Sequence, residues 1–307
     1  MRQRLPNARD FTGSLPPYHP LDCVYSSLRL SAEQGPLFFS PGYNAPLFLG
    51  GPFVFTIHDL IHIDLPQPRA QLKAAYYAHV IKPACRRAQR VVTVSEWSRQ
   101  RIAEWSGIDI RKVVNVGNGV GQAFVSTGER YELGGPYVLC IGNRKPHKNE
   151  LRALRAFARG TRKQRAKLLF LGAPTRELLD TARSAGIEDQ VRFVGRVSDT
   201  MLATLYRGAT GLLFPSLLEG FGLPVIEAMA CGTPVITSTA AALPETAGDA
   251  ALLVDPKSEE AIADAVERLI DDVGLRRQLS ALGHENAKRF SWDLSAQRLV
   301  KALESVC

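Results

Sequence analysis

The 307-residue chain has no run of apolar residues long enough to span a bilayer, because a spanning helix needs about 18 or more in succession. Its most apolar early stretch, Pro46 to Ile57, is broken by Gly50, Gly51 and Pro52. The opening MRQRLPNARDF lacks the apolar segment that a secretory signal places after its basic residues. Cysteine is sparse: Cys23, Cys85, Cys140, Cys231 and Cys307 are odd in number, scattered, and never form C-x-x-C. That argues against a disulfide framework or a zinc site and fits a reducing cytoplasm. D-x-D, H-E-x-x-H and G-x-x-x-x-G-K-[ST] do not occur. With no D-x-D clamp for a magnesium ion, a bound diphosphate would have to be neutralised by side-chain cations and helix termini. No repeat or low-complexity tract is visible, and a content of 45% hydrophobic and 22% charged residues excludes a disordered or fibrous chain.

The length suggests two domains of roughly 150 residues each. The net charge of +8 is uneven: residues 1–125 hold 14 Lys+Arg against 8 Asp+Glu, and residues 126–307 hold 24 against 22. A basic first half can attract nucleic acid, an anionic membrane or a phosphorylated substrate. Nucleic acid is set aside, because the cations are dispersed and no recognised helix or aromatic platform accompanies them. Segment Arg69–Arg90 interleaves Arg69, Lys73, Lys82, Arg86, Arg87 and Arg90 with Tyr76, Tyr77, Val80 and Ile81. Such a helix, kinked at Pro83, either rests peripherally on anionic lipid or is an ordinary solvated helix.

Short apolar runs alternate with helical stretches, the pattern of an α/β protein with parallel sheets. Strands are expected at Leu37–Phe39, Phe53–Ile57, Val91–Val94, Val113–Val116, Tyr137–Ile141, Lys167–Leu171, Val191–Val194, Gly211–Phe214, Pro234–Ile236 and Ala251–Val254. Crossover helices are expected at Arg69–Arg90, Glu96–Trp105, Asn149–Gly160, Thr175–Ala185, Asp199–Gly208, Glu259–Asp272 and Gly274–Arg289. Glycines and Pro136 cluster over 118–136 and suggest a linker. The resulting division is a doubly wound domain over 1–125, a second over 126–290, and a closing helix over 291–307. Ligands of open parallel sheets bind beyond the carboxyl ends of the strands, so a cleft between two such domains is the expected site.

Three strand ends carry chemistry. After Gly211–Phe214 comes SLLEGFGLPVIEAMACGTP, in which Pro224 suits the first turn of a helix and Gly232 its end. Gly220 and Gly222, flanking Phe221, let backbone approach a ligand, and the helix start at Leu223 favours an anion. Glu227, about one turn inside, can accept hydrogen bonds from two vicinal hydroxyls, while Glu219 stands before the turn. A solvated capping Glu is the plainer alternative. After Tyr137–Ile141, the run Gly142-Asn143-Arg144-Lys145-Pro146-His147-Lys148-Asn149 places three cations where a diphosphate needs counter-charge, with Asn149 suited to cap a helix. After Phe53–Ile57, His58 and Asp59 face the same end, where His58 can bond a substrate hydroxyl or sit satisfied in the core. Ser95 reads first as a helix cap and second as an acceptor-side contact.

Together these segments resemble the retaining glycosyltransferases of family 4. The resemblance rests on EGFGLPVIEAMACGTPVI, with Glu219 and Glu227 eight apart, and on TIHDL at 56–60, VSEWSR at 94–99, NGV at 118–120, GNRKPHKN at 142–149, GRVSD at 195–199 and FSWDLSAQRL at 290–299. It implies a GT-B fold, two Rossmann-like domains facing a cleft, with the closing helix crossing back onto the first. It implies that Lys148 contacts the diphosphate of a nucleotide sugar, Glu227 the ribose, Glu219 the transferred sugar, and His58 the acceptor side and donor sugar, with Val197 beside the base. Many members carry arginine where Asn143 stands, so Arg144 or Lys145 is expected to replace it. The usual first strand and Gly-rich turn are not found before Pro36, so the first domain reads as shortened by about one βαβ unit.

The implied activity is transfer of a hexosyl group, mannose for preference, from a GDP- or UDP-linked sugar. The acceptor is a saccharide or lipid-linked saccharide of the cell surface, the anomeric configuration is retained, and neither metal nor cofactor is required. A cytoplasmic location at the inner face of the membrane goes with it. A non-catalytic nucleotide-sugar-binding protein is the alternative.

Overall fold

Each expected strand is present, with ends shifted by at most two residues. The computed structural model describes residues 22–32, 37–47, 51–65, 71–162 and 165–306. The chain divides into unit 1, Met1–Asn118 with Trp292–Cys307, and unit 2, Gly119–Ser291. The expectation of a shortened first domain rests on residues 1–36, of which 1–21 and 33–36 lie outside the described residues. A helix that the sequence reading did not anticipate, α1 (Asp22–Ala32), precedes the first strand.

Among its described residues, unit 1 holds four parallel strands in sequential order: β1 (Phe38–Ser40), β2 (Phe53–Thr56), β3 (Arg90–Thr93) and β4 (Val113–Asn115). Alternate side chains of β2 point to opposite faces. Phe53 and Phe55 join Ile57, Tyr77, Ile81 and Ile102 on one side. Val54 and Val92 meet Leu299 and Leu303 of the last helix, Trp292–Glu304, on the other. That helix therefore belongs to the packing of unit 1.

Between β2 and β3 run α2 (Ile61–Asp64), α3 (Gln71–Tyr76), a π turn over Tyr77–Ile81, and α4 (Lys82–Arg87). The helix expected over Arg69–Arg90 is a continuous helical run over 71–87 with a π turn just before Pro83. Lys82 N–H reaches back five residues to Tyr77 O, and Pro83 falls in the first turn of α4, where its missing N–H is harmless. Arg69, part of the expected lipid-facing segment, lies outside the described residues. Then α5 (Glu96–Ser106) connects β3 to β4.

Unit 2 has six parallel strands: β5 (Tyr137–Cys140), β6 (Lys167–Leu171), β7 (Val191–Val194), β8 (Gly211–Phe214), β9 (Val235–Ser238) and β10 (Leu252–Val254), in the order β10-β9-β8-β5-β6-β7. All pairs are parallel. The order reverses direction between β5 and β8, and that switch point is where a doubly wound sheet opens for a ligand. One face packs Val138, Leu168, Phe170 and Leu213 against α6 (Glu150–Gly160) and α11 (Glu259–Asp271). The other packs Tyr137, Leu139, Leu212 and Phe214 against α8 (Asp199–Gly208) and α9 (Leu223–Ala230). Between these, α7 (Arg176–Ser184) joins β6 to β7, α10 (Leu243–Ala247) joins β9 to β10, and α12 (Val273–Ala287) follows α11. Thr175, Ser198, Ser258 and Asp272 cap their helices through side-chain oxygens.

Four cysteines, Cys23, Cys85, Cys140 and Cys231, are buried and none is in a disulfide. Among the described residues no helix is long and apolar enough to cross a membrane.

Candidate active site

The loops after β5 and β8 flank the switch point and are stitched together. Leu217 N–H donates to His147 O at 2.8 Å. Asn149, expected to cap α6 with its side chain, does not: it adopts a left-handed backbone (φ 59°) and makes no capping bond. Its amide instead donates to Pro215 O at 2.9 Å and Pro256 O at 2.7 Å, tying three loops to one buried group. Lys148 thereby projects toward the β8 loop. Its Nζ lies 2.7 Å from Glu219 Oε1 and 5.1 Å from the centre of the Phe214 ring. The two side chains are only 15% and 11% exposed, so solvent screens this pair weakly.

Arg144 is placed differently from the expectation that it would supplement Lys148. Its guanidinium bonds the Glu150 carboxylate, donates to Leu171 O at 3.0 Å and Ala173 O at 2.8 Å, and lies over Phe170 and Phe193. Its charge is neutralised within the fold. Glu150 also accepts the Arg144 backbone N–H at 2.9 Å and fills the space beside Gly142, where a Cβ would come 2.3 Å from the Glu150 carboxyl carbon. Glycine there admits the carboxylate that shapes the whole basic turn. Nothing in a string of lysines and arginines announces Glu150; an acid at the first helical position after them was the available signal. Asn143 and Lys145 are exposed on the turn, joined by Lys145 N–H to Asn143 Oδ1 at 3.3 Å.

The β8 loop ends at Gly222, the residue before α9, with φ 105° and a Cβ position only 2.6 Å from Leu243 Cδ2. A side chain there would be strained twice over. No side chain caps α9, and Pro224 occupies its first turn. Phe221 is buried, its ring edge-on to Phe290 at 5.5 Å, and its carbonyl accepts from Thr246 Oγ1 at 2.6 Å. Gly220 is likewise buried, whereas Leu223 is exposed. Glu227 Oε2 accepts from Tyr206 Oη at 3.1 Å, a partner the sequence did not reveal. Burial raises the Glu227 carboxyl to about 7, the Tyr206 bond opposes that, and the charge of Asp199 reinforces it. Val197 is half-buried and packs on the α8–α9 core.

In unit 1, β2 leads into His58, which is exposed. The turn is pinned at both carbonyls: Ser98 Oγ donates to His58 O at 3.3 Å and Tyr43 Oη to Asp59 O at 3.4 Å. The Tyr43 ring stands edge-on to His58, centroids 6.2 Å apart. Asp59 Oδ1 accepts Ile61 N–H at 3.1 Å. Ser95 is 1% exposed and its Oγ accepts Ser98 N–H at 3.0 Å, the helix cap expected of it. Among the described residues no group of three or more His, Cys, Asp or Glu could hold a metal ion.

The family of glycosyl transferases group 1 matches residues 129–286, and glycosyltransferase family 4 matches residues 33–123. O-antigen chain mannosyltransferase B of Escherichia coli is 29% identical over 263 residues, 81% of this chain and 69% of that protein. D-inositol 3-phosphate glycosyltransferase of Actinosynnema mirum is 31% identical over 314 residues, 92% of this chain and 72% of its own length. The serotype-specific mannosyltransferase WbdA of E. coli is 28% identical over 70% of this chain, which spans only 28% of WbdA.

Among solved structures, sucrose-phosphate synthase of Thermosynechococcus elongatus superposes with TM-score 0.76 at 23% identity, over 95% of this chain and 81% of that one. Anabaena HepE in complex with UDP and glucose superposes with TM-score 0.75 at 18% identity, over 94% and 84%. The likeness establishes the fold, two Rossmann-like parallel-sheet domains of the GT-B class. With one family pattern covering more than half of its length, the chain belongs to the glycosyl transferases group 1 family.

Proposed function

We propose that this chain moves a hexosyl group, mannose, from a GDP- or UDP-linked donor to a hydroxyl of a saccharide or lipid-linked saccharide during cell-surface polysaccharide synthesis, with retention of anomeric configuration. The observation that carries the reading is the Lys148–Glu219 pair, 2.7 Å apart, beside the uncapped helix start at Gly222. The barrier to such a transfer lies in parting the sugar from its diphosphate while negative charge grows on the leaving oxygens. Lys148 and the α9 N–H groups supply positive charge for that moment without reorganising. Glu219 orients the sugar. Glu227, once ionised, accepts the two ribose hydroxyls. His58, at the end of β2, is assigned the acceptor hydroxyl. The sequence holds no D-x-D, so diphosphate charge falls to Lys148 and the helix rather than to a metal. The mannosyl choice is supported by the similarity to O-antigen mannosyltransferases of E. coli and Salmonella typhimurium. Work at the cytoplasmic face of the membrane follows from a lipid-linked acceptor.

The test incubates the purified chain with GDP-mannose or UDP-sugars and saccharide acceptors, and reads the product's anomeric coupling by NMR. An α-linked product formed at an unchanged rate in EDTA is expected. A donor that binds by calorimetry yet is never transferred would instead leave a nucleotide-sugar-binding protein.

A further inference from the structure

Unit 2 gathers a second set of cations at the opposite end of its strands, before β8 and β9 begin. Strand β8 runs from Gly211 toward the Ser216–Gly222 loop; the residues before it, Ala209 and Thr210, border a cavity of about 580 Å³ together with Gly232 and Pro234, which lead into β9. Four guanidinium groups line it, from Arg130, Arg207, Arg276 and Arg277, and no aspartate or glutamate does.

Two of the four are held in place by neutral atoms. Arg207 donates to Glu129 O at 2.7 Å and Val125 O at 3.2 Å; Arg276 donates to Leu269 O at 2.7 Å and Ile270 O at 2.6 Å. Carbonyls fix the direction of these groups and leave their charge uncancelled. None of the four arginines forms an ion pair among the described residues. Asp272, at the start of α12, has Oδ1 engaged by Leu275 N–H at 2.8 Å.

A larger arginine-rich concavity on the same unit, about 1360 Å³, shows the ordinary alternative. There Arg155 pairs with Glu259, Arg159 with Glu260 and Arg176 with Asp180, so acids interleave with bases as on any solvated surface. The smaller cavity lacks that compensation. Four like charges sharing one concavity repel one another, and a ligand with two or more negative charges would relieve them.

We infer that this cavity is a binding site for a phosphate-bearing ligand, distinct from the donor site and held through its phosphate oxygens. Guanidinium forks match phosphate geometry in a way that ammonium groups do not. The volume suits a small phosphorylated molecule. Ser126 stands in the wall as a neutral donor, whereas the Ser280 hydroxyl already donates to Gly232 O at 2.7 Å. Lys148 takes no part in it, and the site does not rest on the proposed transfer reaction.

Inorganic pyrophosphate is the probe, titrated calorimetrically into the full chain carrying Lys148→Ala, which weakens the donor-site contact. One pyrophosphate site is expected to remain, and adding Arg130→Ser and Arg277→Ser should weaken it at least about tenfold. Both arginines are exposed and neither has a described partner in the fold, so the melting temperature should stay constant. Flotation with phosphatidylglycerol vesicles, abolished by the same two substitutions, would assign the phosphate to a lipid headgroup; pyrophosphate binding without flotation would assign it to a soluble molecule. Affinity unchanged within twofold in the double arginine variant, or no binding to the Lys148→Ala protein, would overturn the inference. Nucleotide titration of the unsubstituted chain reads the donor site separately.

Discussion

The turn after β2 in unit 1 and the loop after β8 in unit 2 both continue fully buried strands at the carboxyl end of a parallel sheet, and both use hydrogen bonds to backbone, but the second adds a side-chain ion pair. The β2 turn is held by neutral hydroxyls, Ser98 and Tyr43 on two backbone carbonyls. The β8 loop is held to the basic turn by the Lys148–Glu219 ion pair, and that turn is itself built on Arg144 and Glu150. Neutral fastening is indifferent to pH and salt. Ionic fastening can exchange partners when an anionic ligand arrives, because a lysine already stripped of water is ready to meet a phosphate. The comparison therefore separates a scaffold turn from a responsive one.

The harshest way to break it is to remove the ion pair. Glu219→Ala should lower turnover by at least about a hundredfold while leaving much of the nucleotide affinity, since a group that orients the sugar acts chiefly in the transition state. Lys148→Ala takes the ammonium from a carboxylate that is largely buried, and about 3 kcal/mol of stability should be lost in urea denaturation. The double variant should regain part of that loss. Stability and turnover unchanged in both single variants would mean that the pair is a surface accident, and the distinction between the two loops would disappear.

Much of this arrangement was legible in the chain. Short apolar runs placed the ten strands of the described residues, because strands buried on both faces leave dense runs bounded by turn residues. Gly222 and Pro224 marked the helix start, because the left-handed backbone before it favours glycine and its first turn tolerates proline. The partners of the marked residues were hidden. Glu150 is six residues from Arg144, within reach of inspection, but the three cations of the preceding segment draw attention away from it. Tyr206 is 21 residues from Glu227, and only the packing of α8 on α9 joins them. The π turn ahead of Pro83 was hidden for a different reason: a proline in a helical stretch signals a break in the bonding ladder but not the one extra residue by which the preceding turn meets it.

A milder test uses Glu227. Its folded-state value of about 7 lies above the 4.5 of an ordinary glutamate, so between those values the folded chain keeps a proton that the unfolded chain has lost. The stability tied to that proton is present below about pH 4.5 and declines as pH rises through 7, by up to about 3 kcal/mol. Glu227→Gln, which mimics the protonated form and still accepts from Tyr206, should flatten the thermal stability profile over this window. Nucleotide affinity of the unsubstituted chain should rise above pH 7, as the carboxylate ionises and can accept two hydroxyls. A stability profile identical in the two proteins would remove the third charged element from the β8 side of the comparison.

The smallest effect belongs to the neutral side and sharpens the contrast most. Tyr43→Phe keeps the ring against His58 and Tyr77, centroids 6.2 and 5.8 Å away, and deletes the hydroxyl that reaches Asp59 O and the Tyr77 hydroxyl. At 3.4 Å the bond to Asp59 O is long, so the loss should be about 0.5 kcal/mol, with kcat falling less than about threefold. Burial, with the charge of Asp59 added, holds the Tyr43 phenol far above its ordinary value, so the donor stays protonated at every pH an enzyme assay uses. The Tyr43→Phe deficit should accordingly be the same at pH 5.5 and pH 8. A deficit that grew or vanished across that range would mean that the β2 turn, too, is governed by a titrating group, and that its neutral hydrogen bonds are incidental to how it is held.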